Sequence, residues 1–209
     1  QRQMCIRDRS IFVVSCKNND EFSISGKVEN AGGIKKVLLY ETDQLVDSAF
    51  LNESNEFKFR RVATEPDFYT LAVGEKNFLV VGKNGDELKF KTDYLDSTNT
   101  YEIKGSEDSE KIREFNQIGN DFGKINKKIQ DDYSNLIQAN PAAKDSIYGV
   151  LMPQFQANMD KYSETTYKFA QGNKTNLAGF FAASSLDQST YETESVSYTH
   201  LTLPTNREV

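Results

Sequence analysis

Tryptophan is absent, histidine occurs once (His200), cysteine twice (Cys5 and Cys16) and proline four times in 209 residues. One histidine near a terminus cannot serve a Ser-His-Asp or Cys-His arrangement in the body of the chain. Nor can two cysteines and one histidine close a zinc site. No CxxC pair occurs, so a dithiol redox centre is missing from this sequence. Positive charge is in deficit: 25 Lys and Arg face 31 Asp and Glu, a net charge of -6. A nucleic-acid binder needs a basic face to neutralise phosphates, and this balance argues against one. No apolar run approaches the ~18 residues that a spanning helix needs.

The two ends carry an oddity of their own. Gln3-Met4-Cys5-Ile6-Arg7-Asp8 can be encoded by CAG ATG TGT ATA AGA GAC. The reverse complement, GTC TCT TAT ACA CAT CTG, translates as Val196-Ser197-Tyr198-Thr199-His200-Leu201. Opposite ends of a natural protein have no reason to be antisense to each other. The string resembles a transposase mosaic-end sequencing adapter read through at both ends. Residues 1–9 and 196–209 are therefore expected to be artefact, with both natural termini missing. On that reading Cys16 is the one natural cysteine and no natural histidine remains.

Residues 10–20 are expected to be a truncated export signal and a tether. Ser10-Ile11-Phe12-Val13-Val14 is apolar, and Val13-Val14-Ser15-Cys16 resembles the bacterial lipobox, in which the cysteine is lipidated. Lys17-Asn18-Asn19-Asp20 follows as a polar spacer with nothing to bury. Cys16 is thus the candidate lipid-attachment site, and two acyl chains there would give stable anchoring. The alternative is a first strand ending in a buried free thiol.

From Glu21 to Gly105 the hydrophobic period is two, the signature of half-buried strands. Phe22, Ile24 and Val28 alternate with polar residues, and Gly26 is expected to mark a bulge. Val37 to Tyr40, Leu45 to Leu51, Phe57 with Phe59, and Phe68 to Val73 continue the series. Phe78-Leu79-Val80-Val81 is apolar on both faces and is expected to be a central strand. Asn84-Gly85 is the strongest hairpin signal, leading to Leu88, Phe90 and Thr92, then Tyr101 and Ile103. Eight short strands at this spacing predict a sandwich or open barrel.

At Gly105-Ser106 the period switches to the helical one. Ile112, Phe115, Ile118, Phe122, Ile125, Ile129, Tyr133 and Leu136 form one stripe, with Ser106 or Ser109 as cap. Asn140-Pro141 ends that helix. A second is expected over 142–171, with Ile147, Val150, Leu151, Phe155, Met159, Tyr162 and Phe169 inward and Pro153 kinking or splitting it. A short third carries Leu177, Phe180, Phe181 and Leu186. The fold class is α+β: an N-terminal antiparallel β-sandwich of about eight strands (21–105), then a helical hairpin and a short third helix within an arm over 106–195.

Few polar clusters invite a chemical reading. Asp47-Ser48 reads either as a turn-organising pair or as an ordinary strand-end contact. Glu110, Asp121, Asp131 and Asp132 could bind a metal, but carboxylates opposite an apolar stripe normally face solvent. Tyr69, Tyr94, Tyr101, Tyr148 and Tyr162 could line a ligand platform or simply pack in core and rim. Asn52-Glu53-Ser54 and Asn173-Lys174-Thr175 fit the glycosylation triplet, which carries little weight in the bacterial context that the lipobox resemblance implies. No catalytic, metal or cofactor set emerges.

Phe22-Ser-Ile-Ser-Gly26, Val37-Leu-Leu-Tyr40, Leu45-Val-Asp-Ser48, Phe68-Tyr69 with Leu71, and Tyr101-Glu-Ile-Lys-Gly-Ser106 together resemble the domain of unknown function (DUF) 4369. The resemblance spans roughly residues 16–190. It implies a lipoprotein of Bacteroidetes-type bacteria in the cell envelope, in which this domain and a helical linker precede a thioredoxin-like domain similar to TlpA-type thiol–disulfide oxidoreductases. Asn176-Leu-Ala-Gly-Phe-Phe181 looks like the helix lying shortly before it. Its redox cysteines match nothing here; Cys16 alone matches a functional position. The implied partners are the membrane, through the anchor, and its own thioredoxin-like domain or an envelope protein. A binding module for a small ligand, glycan or partner protein is the competing expectation, and a plain spacer the third.

Overall fold

The computed structural model describes residues 19–186. The terminal strings, the lipobox stretch with Cys16, and residues 187–195 of the expected arm lie outside the described residues. Eight strands come first: β1 (Phe22–Glu29), β2 (Lys36–Glu41), β3 (Gln44–Phe50), β4 (Glu56–Arg61), β5 (Asp67–Val73), β6 (Lys76–Gly82), β7 (Glu87–Asp93) and β8 (Tyr101–Lys104). Three helices follow: α1 (Glu107–Ala139), α2 (Lys144–Gly172) after a single 3-10 turn, and α3 (Leu177–Ser184). The expected α+β architecture is present.

The strands form two four-stranded sheets, in the orders β4-β1-β7-β8 and β3-β2-β5-β6. Alternation decides which face each presents. Phe22, Ile24, Phe59, Leu88 and Phe90 from the first sheet meet Leu39, Tyr69, Leu71 and Phe78 from the second, all buried. Edge-on ring contacts lock the layers, with Phe78 at 5.1 Å from Phe90 and 5.2 Å from Tyr101.

Several expectations are corrected here. Neighbouring strands are antiparallel except β1 and β7, which run parallel. Gly26 makes no bulge, since its pairing with Phe57 is in continuous register. A Cβ at Gly26 would lie 2.3 Å from the Phe57 ring, so the glycine makes room for an aromatic side chain. The register shift falls instead between Leu39 and Tyr40. The Asn84-Gly85 turn does not close a hairpin: β6 and β7 belong to different sheets, and the turn carries the chain across the sandwich. It is tied down by Asn84 N–H to Ala63 O (2.7 Å) and Gly85 N–H to Glu21 O (3.0 Å).

β6 lies at a sheet edge, not in a centre. It is apolar on both faces because the helices cover its outer side, where Val81, Ile112 and Ala178 are buried together with Phe68, Leu79 and Phe181 around them. α1 and α2 then run out as an antiparallel pair. α2 is one helix through Pro153, not split. The stripe expected along both helices is only partly covered: Ile125, Leu136 and Val150 are exposed, because the distal seam is two helices wide and has no sheet beneath it.

Candidate functional site

The helical arm is fixed to the sandwich at one small junction. Gly105 leaves β8 with φ +96, so close to β7 that a Cβ would lie 2.1 Å from Glu87 O. Ser106 is the cap of α1, its Oγ accepting from Ser109 N–H. Glu107, Asp108 and Glu110 supply the favourable negative charge in the first turn. Ser109 is fully buried and turns back to the β6 edge: its Oγ accepts from Val81 N–H at 2.8 Å and donates to Val81 O at 2.9 Å. One hydroxyl thus stands in for a missing neighbouring strand at that residue. Asp108 also accepts from Ala178 N–H at 3.2 Å, joining the start of α3 to the start of α1.

The sequence-nominated residues do not converge. Asp47 is half-buried on edge strand β3 and accepts from the adjacent Ser48 N–H, 2.7 Å. Glu110 accepts from Gly105 N–H (3.0 Å), while Asp121 pairs with Lys124 and Asp131 with Lys127 on the exposed helix face. Hydrogen bonding from Lys124 holds the Asp121 carboxyl below its usual range. Among the described residues no group of three His, Cys, Asp or Glu side chains is placed to hold a metal ion.

The five tyrosines are dispersed. Tyr69 and Tyr101 are core residues, and burial pushes each phenol up to about 12. At Tyr69 the neighbouring Glu41 and Asp67 add to the rise and Arg61 opposes it. Tyr94 lies beneath Lys76, 5.2 Å from ammonium to ring centre. Tyr162 packs on Phe122 and Tyr148 faces Tyr133 in the helix pair. Asn52 is a turn residue, its Oδ1 accepting from Ser54 and Glu56 N–H at 2.9 Å each. Asn173 Nδ2 donates to Phe169 O at the end of α2.

Two recesses were not legible in the sequence. One, about 930 Å³, opens at one end of the sandwich between the β2–β3 turn and the β4–β5 connection. Glu41, Asp43, Glu65 and Asp67 line it and Tyr69 closes its floor. Arg61 crosses between the sheets behind it, contacting Glu41 at 3.7 Å and donating to Val46 O at 3.2 Å. The second, about 620 Å³, is an apolar groove along the far half of the helix pair, lined by Ile129, Tyr133, Tyr148, Leu151, Met152 and Phe155 among others. Each brings together residues from separate elements, and no local pattern marks either.

Against this geometry the comparisons with known proteins are brief. Residues 22–112 match the Domain of unknown function (DUF4369). The matched span runs from the first residue of β1 through Ile112, so it contains the whole sandwich and the Gly105–Ile112 junction, and stops before the free length of the arm. No curated protein and no solved structure matched the chain.

Proposed function

We propose that this chain is the non-catalytic N-terminal region of a cell-envelope lipoprotein thiol–disulfide oxidoreductase. Cys16 carries the lipid anchor, the sandwich spaces or docks, and the helical arm positions a thioredoxin-like domain encoded beyond this sequence. The observation that supports it is the junction. Ser109 and Ile112 seat α1 on the β6 edge through buried, satisfied contacts, which gives the arm a fixed direction rather than a flexible linker's range. A positioning role uses such stiffness, and a freely swinging tether would not.

The test is the product of the uninterrupted gene. It is expected to carry a CxxC domain after the arm, to reduce disulfides in a turnover assay and to fractionate with membranes until Cys16→Ala releases it. The 209-residue chain alone is expected to show no turnover. An uninterrupted gene that ends without a CxxC domain would remove the redox part of the reading.

The acid-lined recess favours a second reading, a binding module. Four carboxylates around the buried Tyr69 ring suit a small organic cation. At the recess, Thr42 holds φ +54, a left-handed conformation that a β-branched residue rarely adopts. A thermal-shift series with mono- and diamines checks this reading. A shift lost in Glu65→Gln/Asp67→Asn supports it, and no shift with any amine counts against it.

A further inference from the structure

Among the described residues no helix covers the outer face of the first sheet, whose register assembles a charge pattern that the composition conceals. Lys58 of β4 pairs with Ser25 of β1, Ser25 pairs with Lys89 of β7, and Lys89 pairs with Lys104 of β8. These four residues therefore lie in one row across all four strands, all three lysines exposed. With neighbouring strands ~4.8 Å apart, Lys89 and Lys104 are adjacent and Lys58 lies two strands away across a serine. In the next row Lys27 sits beside Lys91, with Glu56 and Glu102 at its outer ends.

Acidic residues rim the face without cancelling its middle. Lys91 pairs with Glu29 at 3.0 Å, and Arg60 with Glu21 at 3.4 Å. Glu87 faces the side of Ser23 away from Arg60. Lys27, Lys58, Lys89 and Lys104 make no ion pair or hydrogen bond among the described residues. Four cations with no ion-pair partner among the described residues are thus gathered on one face of a chain whose net charge is -6. An exposed aromatic adjoins them: Phe50, 77% exposed, shares an open depression of about 560 Å³ with Ser25, Lys27, Lys58 and the rim carboxylate Glu56.

The geometry points to this face as a docking surface for an anionic phospholipid bilayer. Charge complementarity supplies the attraction. Lysines on flexible stems are point charges suited to a diffuse headgroup layer, without the planar fork that reads a single phosphate. An unshielded phenylalanine beside them suits the headgroup–acyl boundary and gains nothing from a soluble polyanion. The inference deepens the anchoring reading by naming what the domain lies against, but it rests on the sheet alone and needs no lipid at Cys16.

Flotation of the unlipidated 209-residue chain with vesicles tests it. Binding is expected to phosphatidylcholine vesicles containing one third phosphatidylglycerol, not to phosphatidylcholine alone, and to fall steeply as salt shortens the screening length. A surface lysine contributes roughly five-fold to such partitioning. Loss of three lysines alone should cost on the order of 100-fold, and the Lys58→Glu/Lys89→Glu/Lys104→Glu chain, which also adds three negative charges, should bind at least that much more weakly. The Lys→Arg triple should bind as the parent does, which loss through misfolding would not predict. Lys35→Glu/Lys144→Glu/Lys174→Glu, with the same net charge but off this face, should stay close to the parent. Phe50→Ser should weaken vesicle binding and leave heparin retention unchanged. Equal loss in the two Glu triples, equal binding to neutral vesicles, or heparin retention with no vesicle binding would each overturn the proposal. Acylation at Cys16 is absent from the assay, so failure here leaves the anchor reading standing, and failed acylation leaves this binding standing.

Discussion

Ser109 holds Val81 by both of its backbone polar groups, at 2.8 Å to the N–H and 2.9 Å to the carbonyl. Val81 belongs to an edge strand, and those two groups would otherwise face an apolar helix interface with no partner. Ser109→Ala orphans both. Each buried unpaired backbone group costs about 1–3 kcal/mol, so a loss of at least about 2 kcal/mol is expected in urea denaturation. A change under about 0.5 kcal/mol would mean that water or a shifted helix replaces the hydroxyl.

Two glycines should respond in opposite directions to the same substitution. Gly105→Ala places a methyl 2.1 Å from Glu87 O at φ +96, and is expected to cost more than about 2 kcal/mol. Gly123, in the exposed middle of α1, has nothing within 4 Å of an added Cβ. Gly123→Ala should gain about 0.5–1 kcal/mol. Unfolding midpoints of the two variants decide it, and matching signs would contradict the placement of the junction.

A polar pair sits in the α1–α2 seam. Asn158 Nδ2 donates to Asn126 Oδ1 at 2.7 Å and to Phe122 O at 3.1 Å. Asn158→Ala should cost about 1–2 kcal/mol, and a double-mutant cycle with Asn126→Ala should give a coupling of about 1 kcal/mol. We take the pair to fix the register of the helices, as lone polar residues do in coiled coils. Asn126→Leu/Asn158→Leu should then be at least as stable yet show more than one set of seam resonances by NMR. A single sharp set would refute the register role.

Asp96 ties the β7–β8 loop, accepting from Thr98 and Thr100 N–H at 2.9 Å each and from both threonine hydroxyls. The hydroxyl of Thr100, then that of Thr98, holds its carboxyl well below the usual range. A folded pKa below the unfolded one stabilises fully above the unfolded value, about pH 4, and is lost as pH falls toward the folded value. The stability gap between the parent and Asp96→Asn should be constant from about pH 7 to pH 5 and narrow below about pH 4. A gap that widened on acidification would show that the loop is held by other means.

The strands and the switch to helix at Gly105-Ser106 were legible because each depends on local periodicity. The cap was legible only as Ser106 or Ser109, from the serines at the period switch, and the structure places it at Ser106. β6 was misplaced because two-sided burial reveals that something covers a strand, not whether strands or helices do. Ile125, Leu136 and Val150 continue their helical stripes, yet no periodicity says where the partner surface ends. The lysine row is the plainest case. Lys58, Lys89 and Lys104 each look like ordinary outward residues, and only cross-strand register, which no single segment carries, lines them up. The overall negative charge pointed the other way.

The proposed role depends on an arm held in one direction by the sandwich. The most direct measurement is a pulsed electron-spin distance between labels at Ser54→Cys on the sandwich and Ala139→Cys at the arm tip, with Cys5 and Cys16 replaced by serine. A single narrow distance distribution is predicted, broadening when Ser109→Ala is added. A broad distribution in the otherwise unaltered chain would contradict it, because an arm that swings cannot position anything.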